Sequence, residues 1–501
     1  MIARSEGMGI VKSRYGIGRS VRLGAVDGVL LVLFGCFWCW NWIVFESPTD
    51  LPVSLGVSGL VLPSRTISLA SFAVVGIGGF LLLRGGVGLP SSRWGRAARY
   101  GMLVLFVVVV GVLDGADGLL DGKFGDEFAF VVGGCTGAIG AALYLDWGRF
   151  FGMSGIGNFR FAVVACVVSS LVAALLGACM FWLGDQARQW FVLAFPLVSL
   201  PLLKVLGAKS GRVRAVRRGG DATSNRSYVP VKFIVSLTLL GLALGLMQSI
   251  FTQSNTIDML SPLSTAGFAV AALVSVGAIY VLKLDFNRLM YQIGFPMIAL
   301  GFLVMVLLGN AFAGYILSIA GYRFTELVVW ILGIYLTTRI PHSQNWVFLL
   351  IGGLLSFGQA AGLAFMDGRF EEHLTEVSIV AVAVLLLGSL FLITSKDARE
   401  SWGIVSPGTA DNRACFDEAC AIVVRRSMLT ARESDVFALL AQGRNKRLIS
   451  SKLVLSENTV KTHISSVYQK LGIHSQQELI DMVEEQLRDV QKRSEGLDDV
   501  L

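Results

Sequence analysis

The chain has 501 residues, 54% of them hydrophobic and 15% charged, with a formal net charge of +7 and a mean hydropathy of +0.68. A soluble domain carries about 25% charged residues, so this composition excludes an ordinary soluble globular protein. The deficit lies before residue 394, where long stretches carry no charge, and the chain reads as an integral membrane protein with a soluble tail.

Residues 1–23 are basic, and no small-residue cleavage site closes the first apolar run. They therefore read as a cytoplasmic N-terminal segment and not as a cleaved signal. A helix needs roughly 20 apolar residues to cross the hydrocarbon core, and residues 24–393 hold twelve such runs. Six fill the first half: Gly24–Phe45, Thr66–Leu83, Ala97–Leu113, Phe128–Trp147, Phe161–Leu183 and Gln189–Val205. Six more follow: Phe233–Phe251, Leu263–Leu282, Tyr291–Gly309, Gly321–Thr338, Trp346–Met366 and Leu374–Ile393. Ala311–Ala320 is also apolar, which leaves the start of the tenth span open.

An even number of spans puts both termini on one side. If that side is cytoplasmic, the N-terminal segment and the even-numbered connections, with the span-end residues Arg99 and Lys204 counted in, hold 22 Lys and Arg. The opposite side holds five, namely Arg65, Lys123, Arg188, Arg369 and, counted at the outer start of the tenth span, Arg323. The bias predicts cytoplasmic N- and C-termini in a multi-pass cell-membrane protein, with membrane lipid as a partner.

The cytoplasmic connection 204–232 contains "KSGRVRAVRR" and divides the spans six plus six. This organisation resembles the major facilitator superfamily, whose two six-helix halves are joined by a cytoplasmic loop. "RGGVGLPSSRWGRAARY" echoes that family's basic loop motif without its acidic residue. Polar groups inside spans are costly in lipid, which singles out Asn41, Gln248, Glu326 and Gln359. The resemblance implies that spans 1, 7 and 10 line a central cavity, so these four are candidates for the site of an unknown small-molecule ligand. The other reading is hydrogen bonding between helices, with Glu326 paired to Arg323 at i−3.

Five cysteines lie in apolar runs and behave as small hydrophobes; Cys415 and Cys420 fall in a polar, reduced segment. The acidic connection Asp114–Glu127 does not have EF-hand spacing. The chain shows no metal-ligand cluster, Walker motif or nucleophile constellation, so no metal, cofactor or enzymatic activity is expected.

Residues 394–428 show no sustained period and read as a linker of 35 residues, whose ends as a flexible coil lie roughly 30–35 Å apart. Helix starts follow. Thr430-Ala-Arg-Glu433 and Ser475-Gln-Gln-Glu478 are capping boxes, and Ser456 is an N-cap whose neighbour Leu455 can staple onto Val460. Gly443 and Gly472 suit left-handed helix ends, and a short helix fits between Asn445 and Leu453. In "SENTVKTHISSVYQKLG", Val460, Ile464, Val467 and Leu471 share one helical side, while Lys461, Thr462, Ser465 and Gln469 occupy the other. Four short helices with the third polar on one face make a helix-turn-helix domain.

The landmarks Leu429-Thr430, Arg432-Glu433, Gly443, Thr459-Val460-Lys461, His463 and Lys470-Leu471-Gly472 resemble the LuxR-type DNA-binding domain, over residues 429–486, before a polar tail at 487–501. The resemblance implies that the third helix enters the major groove of double-stranded promoter DNA. Lys461, Thr462 and Ser465 would reach base edges, and Asn458, Thr459, His463 and Lys470 would contact phosphate. His463 has a second reading as a capping or packing residue. The family's fourth helix implies dimerisation on DNA through Glu478–Val483. Residues 425–470 carry nine basic and three acidic side chains, against three and eight in 471–501, which suggests one DNA-facing edge.

The expected fold is thus all-α: a twelve-helix, six-plus-six bundle followed by a four-helix reader. The expected function is a membrane-anchored one-component transcriptional regulator whose bundle senses a ligand or membrane signal. The alternatives are a facilitator-like transporter with a regulatory DNA-binding tail, and a passive anchor.

Overall fold

The computed structural model describes residues 25–46, 61–84, 101, 125–154, 159–210, 229, 231–253, 265–282, 284–339, 346–366, 374–394, 410–453 and 455–495. Every regular element among the described residues is helical. The chain divides into two compact units, one within Leu23–Gly408 and a second that includes Thr409–Leu501.

The first unit contains α1 (Ala25–Asn41, continued as a π-helix over Trp42–Glu46), α2 (Val61–Arg84), α3 (Gly125–Ser154), α4 (Phe159–Leu183), α5 (Asp185–Ser210) and α6 (Val231–Gln253). It continues with α7 (Ala266–Val281), α8 (Phe286–Leu307), α9 (Ala311–Arg339), α10 (Val347–Met366) and α11 (Leu374–Thr394). Eleven of the expected spans thus coincide with a described helix, and the third, 97–113, lies outside the described residues apart from Gly101. Seven of these helices are long and apolar enough to cross a membrane, and three more apolar stretches are shorter. Aliphatic and indole side chains point outward, as on Val74, Leu175, Trp182 and Trp190. Such an exterior is costly in water and at home in lipid.

The helices approach closely where glycine permits. A Cβ on Gly241 of α6 would stand 2.1 Å from the Leu355 carbonyl oxygen of α10, and one on Gly358 would stand 2.1 Å from that of Thr238. Small residues of this kind let helix backbones touch where the hydrophobic effect supplies no driving force. On its other side α10 meets α2, where a Cβ on Gly76 would lie 2.8 Å from the Cα of Gly353. The centre of the bundle is aromatic. Phe34, Phe37 and Trp38 of α1 meet Tyr144 and Trp147 of α3 and Trp330 of α9, with the Trp38 and Trp330 ring centroids 5.2 Å apart.

Helix α9, expected as the tenth span, departs from expectation. It begins at Ala311 and runs unbroken to Arg339, because the apolar stretch 311–320 continues the same helix. Arg323, counted by the sequence reading at the outer start of the span, therefore lies well inside a helix, and Arg65 lies inside α2.

The second unit contains α12 (Ala410–Arg426), α13 (Ala431–Ala441), α14 (Lys446–Leu453), α15 (Glu457–Leu471) and α16 (Gln476–Glu495). Here the linker reading is corrected: residues 410–426 form a helix. Phe416, Ala419, Cys420, Val423 and Val424 recur at helical spacing, and Cys420 and Val423 are buried in the same core as Val436, Phe437, Ile449, Val460, Val467 and Leu479. The reader thus begins near residue 409, and the segment between α11 and α12 is 395–409.

Candidate nucleic-acid interface and the polar cluster of the bundle

Caps fix the geometry of the reader. The Glu433 N–H donates to Thr430 Oγ1 at 3.4 Å and the Thr430 N–H to the Glu433 carboxylate at 2.8 Å, a reciprocal capping box. Asn445 caps α14 by accepting from the Leu448 N–H at 2.9 Å. Ser456 caps α15 by accepting from the Thr459 N–H at 3.1 Å, and Gly472 ends that helix at φ 67°. At α16 the box is modified. Ser475 accepts from the Glu478 N–H, but the Glu478 carboxylate takes the N–H of His474, one residue earlier than a capping box requires.

Val460 and Val467 are fully buried, and Ile464 and Leu471 pack against the same core. The opposite side of α15 exposes Asn458, Lys461, Thr462, Ser465 and Gln469, at offsets of 0, 3, 4, 7 and 11. The remaining predicted contacts form a separate stripe: Thr459, His463 and Lys470, in line with Ser466. Thr459 shares a 2.7 Å hydrogen bond with the Ser456 hydroxyl, and His463 is half-buried. Lys470 donates to Glu433 at 2.7 Å, and Ser466 donates to the other oxygen of that carboxylate. Glu433 therefore clamps α15 to the start of α13. The Lys470 ammonium, the Ser466 hydroxyl and the Thr430 N–H hold its carboxyl well below the usual range, at about 2. The sequence reading found the cap and missed the clamp.

In the bundle, Asn41, Gln248, Glu326 and Gln359 are all buried and occupy two adjoining clusters. The π-helical end of α1 supplies the link, because Phe45 and Glu46 are consecutive. Gln359 Nε2 donates to the Phe45 carbonyl at 2.7 Å and to Gln248 Oε1 at 2.8 Å, while Gln248 Nε2 donates to that carbonyl at 3.2 Å. Asn41 donates to Glu46 Oε1 at 2.7 Å. The Arg323 guanidinium bridges Glu46 and Glu326, and Tyr144 donates to Glu326 Oε1 at 2.6 Å. The cluster joins α1 and α3 to α6, α9 and α10. Glu46 and Tyr144 had no place in the sequence reading, since the first span was ended at Phe45.

The two units define a polytopic bundle joined to a helix-turn-helix reader. Residues 427–483 match the family of bacterial regulatory proteins of luxR type. The spore germination protein GerE of Bacillus subtilis is 42% identical over 55 residues, which are 11% of this chain and 74% of that protein. The HTH-type transcriptional regulator MalT of Serratia proteamaculans is 36% identical over 66 residues, 13% of this chain and 7% of that regulator. The chain belongs to the LuxR family. Its bundle shares a fold with a bacterial homologue of the iron transporter ferroportin, at 16% identity and TM-score 0.50 over 74% of this chain and 97% of that one. The proton:xylose symporter XylE of the major facilitator superfamily aligns at 15% identity and TM-score 0.47, over 76% of this chain and 97% of the symporter. The protein therefore combines a LuxR-type DNA-binding domain with a helical bundle that has the fold of that ferroportin homologue.

Proposed function

We propose that the chain is a membrane-anchored one-component transcriptional regulator, in which the bundle senses a small-molecule ligand or membrane signal and the reader binds promoter DNA. The observation that carries this reading is the open polar stripe of α15, held by a fully packed domain in the same chain as the bundle. Lys461, Thr462 and Ser465 read bases, and Asn458, Thr459 and His463 meet phosphate. Lys470 meets phosphate only while it also holds Glu433. Two readers pair through α16 on the side away from Leu479 and Val483, which face their own core.

Both termini are cytoplasmic. The excess of Lys and Arg on the side assigned to the cytoplasm, 22 against five, supports this orientation. The aromatic filling between α1, α3 and α9 favours a sensor over a conduit. The fold likeness to a transporter favours the second reading, a transporter with a regulatory tail, which uptake into proteoliposomes tests directly.

The main test is recovery of genomic DNA with full-length, uncleaved protein from membranes. Discrete sites are expected, and they should vanish with Lys461→Ala. Recovery of no preferred sequence, or recovery only with a released tail fragment, would overturn the proposal.

A further inference from the structure

Glu46 and Glu326 face a single guanidinium, Arg323, and all three are no more than 2% exposed. Among the described residues the surroundings add little charge. Asn41 and the Cys39 thiol come from α1, Tyr144 from α3, and Tyr315 and Tyr322 from α9. Gln248 and Gln359 are neutral amides from α6 and α10, and α7 presents the Phe268 ring 4.1 Å from the Arg323 guanidinium carbon. A further cation among the described residues, Arg65 of α2, lies within electrostatic reach of Tyr315. Two carboxylates sealed from water around one counter-ion repel each other, and the unmatched charge has no solvent to relieve it.

We propose that this cluster is a proton-binding site joining the two halves of the bundle, with one proton held on a carboxyl oxygen of Glu46 or Glu326. The outer hydrogen-bond partners suit the task. The Asn41 amide and the Tyr144 hydroxyl each donate to one carboxyl, and each can turn to accept instead. Either carboxyl can therefore carry the proton without losing its bond. Loss of that proton leaves two negative charges on opposite sides of the α1–α9 seam, and the halves separate. A pH change is thereby converted into movement between α1 and α9. Proton binding itself is independent of the regulatory reading; its use as a signal rests on that reading.

The test is infrared difference spectroscopy of the full-length protein in lipid vesicles during a pH titration. A protonated-carboxyl band is expected at neutral pH, lost on alkaline titration and lost in Glu46→Gln or Glu326→Gln. The Trp38 and Trp330 fluorescence should titrate with the band in the parent and stay flat in those variants. Using both variants protects the result against one that fails to insert. A parent without the band, or a band unchanged in both variants, overturns the proposal. So does a band that arises only in Arg65→Gln, since Arg65 would then be the second counter-ion. A titrating band with no pH-dependent promoter output keeps the proton site and removes the sensing role, so the two failures are distinguishable.

Discussion

Substituting Val423→Ala in α12 separates a linker from a structural helix. A linker residue could lose two methyl groups at no cost. In the structure Val423 is 5% exposed within the core of the reader. Removing two buried methyls forfeits about 1.6 kcal/mol of transfer free energy, and the unfilled space adds up to roughly 1 kcal/mol. The expected loss is therefore about 2 kcal/mol. Urea unfolding of a fragment covering 409–501 should show it as a midpoint lowered by roughly 2 M, for a slope near 1 kcal/mol per molar. Arg425→Ala, two residues on and exposed, is the control and should change stability by no more than about 0.5 kcal/mol. If the two substitutions behave alike, α12 is not part of the folded reader.

On α15, Val460→Ala should destabilise the fragment by about 2 kcal/mol, while Lys461→Ala and Thr462→Ala leave stability within about 0.5 kcal/mol. Those two should weaken the cognate duplex by about 1–3 kcal/mol per lost base contact; equal losses on a scrambled duplex would reassign them to phosphate. The Glu433 carboxyl lies near 2 when folded and near 4.5 when free, so its stabilisation is complete above about pH 4.5 and is lost as pH falls towards 2. Acid unfolding of Glu433→Gln should lack that part of the transition and keep the part due to Glu478, which is also lowered. In the bundle, Arg323→Met strands two buried carboxyls and should cost about 3–5 kcal/mol, visible as a lower unfolding temperature in detergent; an unchanged temperature would refute the buried pairing. Reporter fusions at Asp121 and Gln344 should report opposite sides of the membrane.

The legible parts were those written in local spacing. Thr430, Asn445, Ser456 and Ser475 each cap within three residues, and Val460 and Val467 share a stripe that one helix suffices to display. The eleven bundle helices that coincide with expected spans followed from apolar length alone. Less legible was α12, whose buried face is built partly from Ala419 and Cys420, too small and weakly apolar to register beside the polar residues around them. The clusters were hidden for a different reason: Tyr144 and Glu326 are 182 residues apart, and Glu46 and Arg323 are 277 apart. Only the packing of α1, α3 and α9 brings them together. Glu433 combined both cases, since one of its partners lies three residues away and another 37.

Because α12 starts at Ala410, only fifteen residues, 395–409, separate the reader from α11. Even fully extended at about 3.4 Å per residue, they give a leash of roughly 55 Å. If the bundle is membrane-embedded as proposed, a leash of that length confines the reader to a half-sphere in which one molecule amounts to a few millimolar. Two bundles standing side by side would then fill a dimer contact too weak to detect between free fragments. On the proposed reading the chromosome has to come within that thin layer to be read, so the search is made by the DNA, and the density of bundles in the bilayer sets the occupancy of a paired site.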